Sequence, residues 1–139
     1  MDAAPRAVGS LVPRAARVLR AVAERGEAVT LALDAGRMAF VPGQFVMVSV
    51  PGIGEVPISI AGDPREADTL ALTVRAVGPV TQALVKAEPG AWLGIRGPYG
   101  TRWPLAEAAG GDLLVIAGGL GLAAVRAAIL GALGERERY

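Results

Sequence analysis

Apolar residues in this chain come in short runs separated by Gly, Pro and charged positions. Residues 28–33 (AVTLAL), 45–50 (FVMVSV), 56–61 (VPISIA), 69–77 (TLALTVRAV) and 91–96 (AWLGIR) are brief, favour Val, Ile and Thr, and are bounded by turn formers. That pattern predicts β-strands, because β-branched side chains fit a pleated surface and Gly or Pro interrupts a ladder. Residues 15–23 mix apolar positions with Arg17 and Arg20 and are compatible with strand or helix. The Glu24-Arg25-Gly26-Glu27 turn that follows would pair them with 28–33 as a hairpin. Loops or turns are expected at 34–37, 51–55, 62–68 and 97–100.

The period changes after Val77. Gly78-Pro79-Val80-Thr81 opens a helical stretch at 82–87, with Thr81 as its expected N-cap, and Pro89-Gly90 closes it. Residues 101–111 show no period. Residues 113–117 (LLVIA) form a continuous apolar run, predicted as a strand, then GGLG leads into an alanine-rich helix to about Leu133. The expected fold is mainly β: a six-stranded antiparallel Greek-key barrel over 13–104. Residues 112–139 then switch to a strand followed by a helix, which is how a parallel α/β unit begins. Residues 1–12 read as a loose lead-in without the apolar stretch of a secretory signal.

Composition narrows the chemistry. Lys plus Arg (14) nearly balances Asp plus Glu (13), and only 4% of residues are aromatic. Neither a basic surface nor stacking platforms for nucleic acid are in view, which argues against an OB-like nucleic-acid barrel. The chain has no Cys and no His. Disulfides, thiolate nucleophiles, a Ser-His-Asp triad and Cys-held iron–sulfur clusters are therefore excluded within it. Redox chemistry would have to come from a bound organic cofactor or a partner. Residues 113–133 are long and apolar enough to raise a membrane span. Arg126 in the middle, at about 2.5–3.5 kcal/mol for a charge at the bilayer centre, and the glycines at 118, 119 and 121 argue against one.

Four motifs could carry function. They are VPISI at 56–60, LTVRAVGPVTQAL at 72–84, IRGPYG at 95–100, and LLVIAGGLGLAAVRAAI at 113–129. On residues alone, VPISI is equally well a buried barrel strand, GPYG a turn, and Arg75 a solvated strand residue. Gly78 to Thr81 is either an ordinary capped helix start or an anion site, since a helix start presents free N–H groups. Gly119-x-Gly121-x-x-Ala124 is a form of the dinucleotide fingerprint in its required strand–turn–helix context, or a Gly-rich turn for close packing. Arg126, in the first turns of that helix, could face a phosphate.

In this order and spacing the motifs resemble the ferredoxin-reductase superfamily. The similarity runs from about Pro13 to about Leu133. More narrowly, the chain looks like the gamma subunits of cytoplasmic nickel–iron hydrogenases and sulfhydrogenases. The electron-transfer subunits of dihydroorotate dehydrogenase and anaerobic sulfite reductase share the pattern. The resemblance implies a flavin, FAD rather than FMN, held by Val56, Pro57, Ile58, Ser59, Thr73, Val74, Arg75, Gly78, Val80 and Thr81. It implies a nicotinamide nucleotide near Gly118, Gly119 and Gly121. The family's Arg-x-Tyr-Ser/Thr stands here as Val56-Pro57-Ile58-Ser59, so the usual arginine and tyrosine are replaced by aliphatic residues.

The implied function is a cytoplasmic, flavin-binding electron-transfer subunit working with iron–sulfur and catalytic subunits. No second β-α unit follows, so the NAD(P)H site is incomplete, and no residue here is a convincing general acid or base. The chain alone is not expected to complete NAD(P)H oxidation. An alternative reading from a different class is a cofactor-free barrel that docks within a larger complex.

Overall fold

A computed structural model describes residues 11–139. The expected lead-in lies mostly outside the described residues. The ambiguous segment near the start is a strand, β1 (Arg14–Ala23), and pairs antiparallel with β2 (Ala28–Asp34). A register shift between Val18 and Arg20 marks a bulge, which re-aims the outward side chains of β1. Next come β3 (Phe45–Val50), β4 (Gly54–Ser59), β5 (Leu70–Arg75), the short helix α1 (Pro79–Val85) and β6 (Trp92–Tyr99). The long helix α2 (Gly121–Gly134) ends the fold.

The sheet order is β4-β3-β6-β1-β2-β5, antiparallel throughout. Strand β6 returns across the chain to lie between β3 and β1, which is the crossover of the expected Greek-key barrel. The two outer strands, β4 and β5, come together through one bridge, Ile60 to Leu72, supported by the Ala61 N–H donating to the Ala71 carbonyl at 2.9 Å. The barrel is thus closed at one point along a seam that is otherwise not laddered.

Period-2 alternation explains the interior. In β5, Leu70, Leu72 and Val74 are buried while Ala71, Thr73 and Arg75 face out. Leu31, Leu33, Val46, Val48, Ile60, Leu84 and Ile95 complete a continuous core. Each such side chain contributes about 1.5–3 kcal/mol on burial. Leu84 of α1 belongs to that core, so this helix plugs the barrel's end against β3, β4 and β5.

Four local expectations are corrected. Strand β4 begins at Gly54, not at Val56, because Pro51-Gly52-Ile53 makes a tight hairpin with Gly52 at φ 76° and Ile53 N–H donating to the Val50 carbonyl. GPYG is not a turn: β6 continues through it to Tyr99 with a register shift opposite Phe45 and Met47, and such a bulge accommodates Pro98, which has no N–H for a ladder. Helix α1 starts three residues earlier than predicted, with Gly78 as N-cap, Pro79 at the first helical position and Thr81 at the third. Residues 113–117 form no strand, and Leu114 and Ile116 are 82% and 86% exposed. A parallel strand needs a neighbour with free hydrogen-bonding groups, and the six barrel strands pair with one another instead.

Helix α2 nonetheless docks on the barrel. Ala127 and Ala128 are buried, and a Cβ added at Gly131 would sit 3.5–3.6 Å from the rings of Pro42 and Pro64. Small residues on one helix face let its backbone approach these prolines closely. Two polar bonds cross the same junction in opposite directions. Trp103 Nε1 donates to the Ala124 carbonyl at 3.4 Å, and an Arg126 guanidinium nitrogen donates to the carbonyl of Ala61.

Candidate functional site

The seam between β4 and β5 is the first element of the site. β4 pairs with β3 on one edge, and β5 pairs with β2. Among the described residues, the facing edges are joined at the Ile60–Leu72 bridge and by the adjoining Ala61–Ala71 hydrogen bond. An edge strand presents a row of backbone donors and acceptors. Here two such rows converge beside the start of α1. The motif residues fall on these rows. Val56 and Ile58 lie opposite Val48 and Val46, on the core-facing side, and are half-buried against the core. Pro57 is exposed on the outer side, and Ser59 is half-buried opposite Phe45. Val74 is buried, so any role at the seam belongs to its backbone. Ile58 packs against the core while keeping part of its surface exposed.

The loop from Val77 to Thr81 is the second element, and it is built by one side chain. Thr81 is only 7% exposed. Its hydroxyl accepts from the N–H groups of Val77 and Gly78, both at 2.9 Å, and donates to the Gly78 carbonyl at 3.0 Å. A hydroxyl has one proton and two acceptor sites, so all three are used within the loop. Thr81 therefore sets the loop's shape instead of acting as N-cap. Gly78 has extended backbone (φ −159°), which any residue adopts. What glycine provides there is space: an added Cβ would meet nothing within 4 Å. Val80 packs on Gly54, whose added Cβ would lie 3.1 Å from the Val80 methyl, and so ties the loop to the β3–β4 hairpin.

A cleft of about 610 Å³ is the third element. Its floor is the outward face of β2 and β5 at Thr30, Thr73 and Arg75, and one wall is the Gly119–Ala123 segment opening α2. Gly119 takes φ 53°, the left-handed region where glycine is favoured, and added Cβ atoms at Gly118, Gly119 and Gly121 would meet nothing within 4 Å. The structure thus brings Thr73, Arg75 and the Gly-rich turn together in one place, with Arg126 at its edge. Glu24 to Gly26, which also line the cleft, were legible in the sequence only as a turn.

Electrostatics separate engaged from available charges. Arg96 makes a two-point ion pair with Glu55, at 2.8 and 2.5 Å, on the outer face across β3. The Arg96 hydrogen bond holds the Glu55 carboxyl below its ordinary 4.5, and Arg96 itself is raised by the same contact. Asp63 accepts from Arg65 and is likewise lowered, chiefly by that hydrogen bond, with Arg126 nearby contributing. Among the described residues, neither Arg75 nor Arg25 has a carboxylate partner. No cluster of acidic residues capable of holding a metal ion occurs among them either.

A small antiparallel barrel with an open strand seam, a capped helix at that seam and a Gly-rich helix start beside it is the architecture of a nucleotide-cofactor barrel. Comparison with known proteins agrees. The family described as the oxidoreductase FAD-binding domain matches residues 21–103. The chain belongs to that family. It is 44% identical to sulfhydrogenase 1 subunit gamma of Pyrococcus furiosus over 105 residues, which is 76% of this chain and 36% of the relative. It is 44% identical over 97 residues to a probable dihydroorotate dehydrogenase B electron transfer subunit of Methanocella arvoryzae, covering 70% of this chain and 32% of that one. Among solved structures, the Amycolatopsis cytochrome P450 reductase GcoB superposes with TM-score 0.76 at 29% identity, over 88% of this chain and 40% of that chain. A ferredoxin NADP+ reductase from Neisseria gonorrhoeae with bound FAD and NADP shares the fold at TM-score 0.71 and 22% identity, over 90% of this chain and 53% of that chain. The chain spans about a third of the length of the curated relatives it matches. No helix of the described residues is long and apolar enough to cross a membrane.

Proposed function

We propose that this chain is the flavin-binding part of an electron-transfer subunit in a multi-subunit oxidoreductase, with FAD as its cofactor in preference to FMN. One observation carries the reading: two unpaired strand edges converge on a loop whose shape Thr81 fixes and whose backbone Gly78 leaves open. Such a slot offers backbone donors and acceptors without side chains in the way. The family's description, an oxidoreductase FAD-binding domain, supports the choice of FAD.

When bound, the flavin supplies the redox chemistry, taking a hydride from NAD(P)H and yielding electrons singly. The chain's own residues position it. Ser59, Thr73 and the backbone of Pro57 and Val74 line the seam. Val80 and Thr81 hold the phosphate loop, and Arg75 supplies a cation that no carboxylate of the described residues neutralises. Val56 and Ile58 support the seam from its core side. Gly118, Gly119 and Gly121 leave room for the nicotinamide nucleotide. On this reading residues 13–104 are the flavin barrel and residues 112–139 open the nucleotide unit. The partners are iron–sulfur and catalytic subunits, in a cytoplasmic complex.

Fluorescence titration tests this. FAD emission should change saturably on adding the protein, and FMN should bind more weakly because it lacks the adenylate half. Equal indifference to both flavins would favour the cofactor-free docking barrel.

A further inference from the structure

The β1–β2 turn was expected to do no more than reverse the chain, yet Glu24, Arg25 and Gly26 line the 610 Å³ cleft together with the Gly-rich start of α2. The turn is shaped unusually. Gly26 (φ 69°) is followed by Glu27 at φ 60°, the one residue other than glycine with positive φ among those described. Backbone in that region costs free energy for a side-chain-bearing residue and persists where surrounding contacts impose it. Those contacts are present: Glu24 N–H donates to the Ala28 carbonyl at 2.8 Å, closing the turn.

The side chains in this turn are sorted by charge. Glu24 bends back on the sheet, where its Oε1 accepts from the Thr30 hydroxyl at 2.8 Å. Thr30 has only one proton, so in the Thr30–Thr73 contact at 3.0 Å it is Thr73 that donates. The chain Thr73 to Thr30 to Glu24 thus draws the carboxylate onto the cleft floor. Arg25, in the same turn, has no carboxylate within ion-pair distance among the described residues, and neither has Arg75 on the floor. Arg126, the third guanidinium of the cleft, is committed to the Ala61 carbonyl. Arg25 and Arg75, from different elements, thus line a cavity whose volume suits a small-molecule ligand with no carboxylate on either, and Arg126, whose carbonyl partner is neutral, adds a third positive charge.

We propose that the β1–β2 turn is part of the nucleotide site, with Arg25 acting together with Arg75 on the phosphates of a nucleoside diphosphate group. Planar guanidinium donors suit such oxygens. Glu24 is a positioning residue, held by Thr30 and Thr73 so that it does not neutralise Arg25. This deepens the nicotinamide-nucleotide half of the function proposed above and rests on that reading; Arg25 is not among the flavin residues, whereas Arg75 lies between the two sites and serves the flavin as well.

Arg25 is exposed, so Arg25→Gln should fold normally. ADP is the probe, measured by calorimetry at low salt, with FAD retention measured separately on each variant. Arg25→Gln should weaken ADP binding about ten-fold, the effect of losing one charge-assisted hydrogen bond, with FAD retention unchanged, whereas Arg75→Gln should weaken ADP binding by a similar factor and lower FAD retention as well. Arg20→Gln removes an equal charge from β1 outside the cleft and should leave ADP binding unchanged; Arg25→Lys should recover part of the loss. Glu24→Gln should keep ADP affinity within about two-fold, because the hydrogen bond to Thr30 survives. The proposal is overturned if wild type does not bind ADP at millimolar concentration, if Arg25→Gln matches wild type, or if Arg20→Gln weakens binding as much. Loss of FAD in Arg25→Gln with ADP binding intact also overturns it. Absence of FAD retention in wild type, with ADP binding still dependent on Arg25, overturns the flavin reading alone.

Discussion

Replacing Thr81 with Val tests how the Val77–Thr81 loop is built. The substitution keeps nearly the same volume in a buried position and deletes only the hydroxyl. Three hydrogen bonds go with it: two accepted, from Val77 and Gly78 N–H, and one donated to the Gly78 carbonyl. Losing a helix-start contact of this kind costs about 1 kcal/mol, and leaving part-buried N–H groups unpaired adds to that. A total of about 2 kcal/mol is expected. With an unfolding entropy of roughly 2.1 cal/mol/K per residue over roughly 130 ordered residues, the melting temperature should fall by about 7 °C. Thr81→Ser retains the hydroxyl and should lose less than half as much. The functional effect should follow the structural one: FAD affinity should fall about ten-fold or more in Thr81→Val and little in Thr81→Ser. The assays are thermal unfolding by circular dichroism and FAD titration on the same samples. Equal melting temperatures for wild type and Thr81→Val would refute the reasoning about the loop. A stability loss with unchanged FAD affinity would show that the loop does not serve the cofactor.

Other outcomes follow from particular contacts. Leu72→Ala empties a fully buried position at the bridge that closes the seam and should cost about 3 kcal/mol by urea denaturation. Gly43→Ala should lower stability by more than about 2 kcal/mol in the same assay. Its backbone is at φ 108°, and the new Cβ would lie 2.7 Å from the Thr101 carbonyl and 2.8 Å from the Trp103 nitrogen. Arg126→Met removes the bond to the Ala61 carbonyl, so amide exchange in α2 should accelerate while exchange in β2, β5 and β6 stays as in wild type. The Glu55 carboxyl is lowered by Arg96, so its contribution to stability is present above the unfolded value near 4.5 and is lost as pH falls through the depressed folded value. Wild type should therefore melt above Glu55→Gln at pH 7, and the gap should shrink on acidification below about pH 4.5.

Strand β3 matched its predicted bounds because FVMVSV alternates cleanly between Pro42-Gly43 and Pro51-Gly52. The start of β4 was less legible: nothing local says that Gly54 and Glu55 complete a hairpin until Val50 and Ser49 are their partners. The end of β6 reads as a turn because Gly-Pro usually breaks a ladder, and only the bulge against Phe45 and Met47 accommodates it. LLVIA carries a strand's composition, but strand formation depends on a partner, which local pattern does not encode. The same limit governs the site. Gly78 to Thr81 and Gly119 to Gly121 announce themselves by spacing. That residues 24–26 and 119–123 line one cleft follows from topology alone, and no periodicity reports it.

On the proposed reading the β4–β5 seam with the Gly78–Thr81 loop binds FAD. Purified protein incubated with excess FAD and then desalted should keep flavin absorbance in the near-ultraviolet and blue at about one FAD per chain, with Thr81→Val retaining much less. A desalted wild-type protein without flavin bands, correctly folded by circular dichroism, would contradict the account.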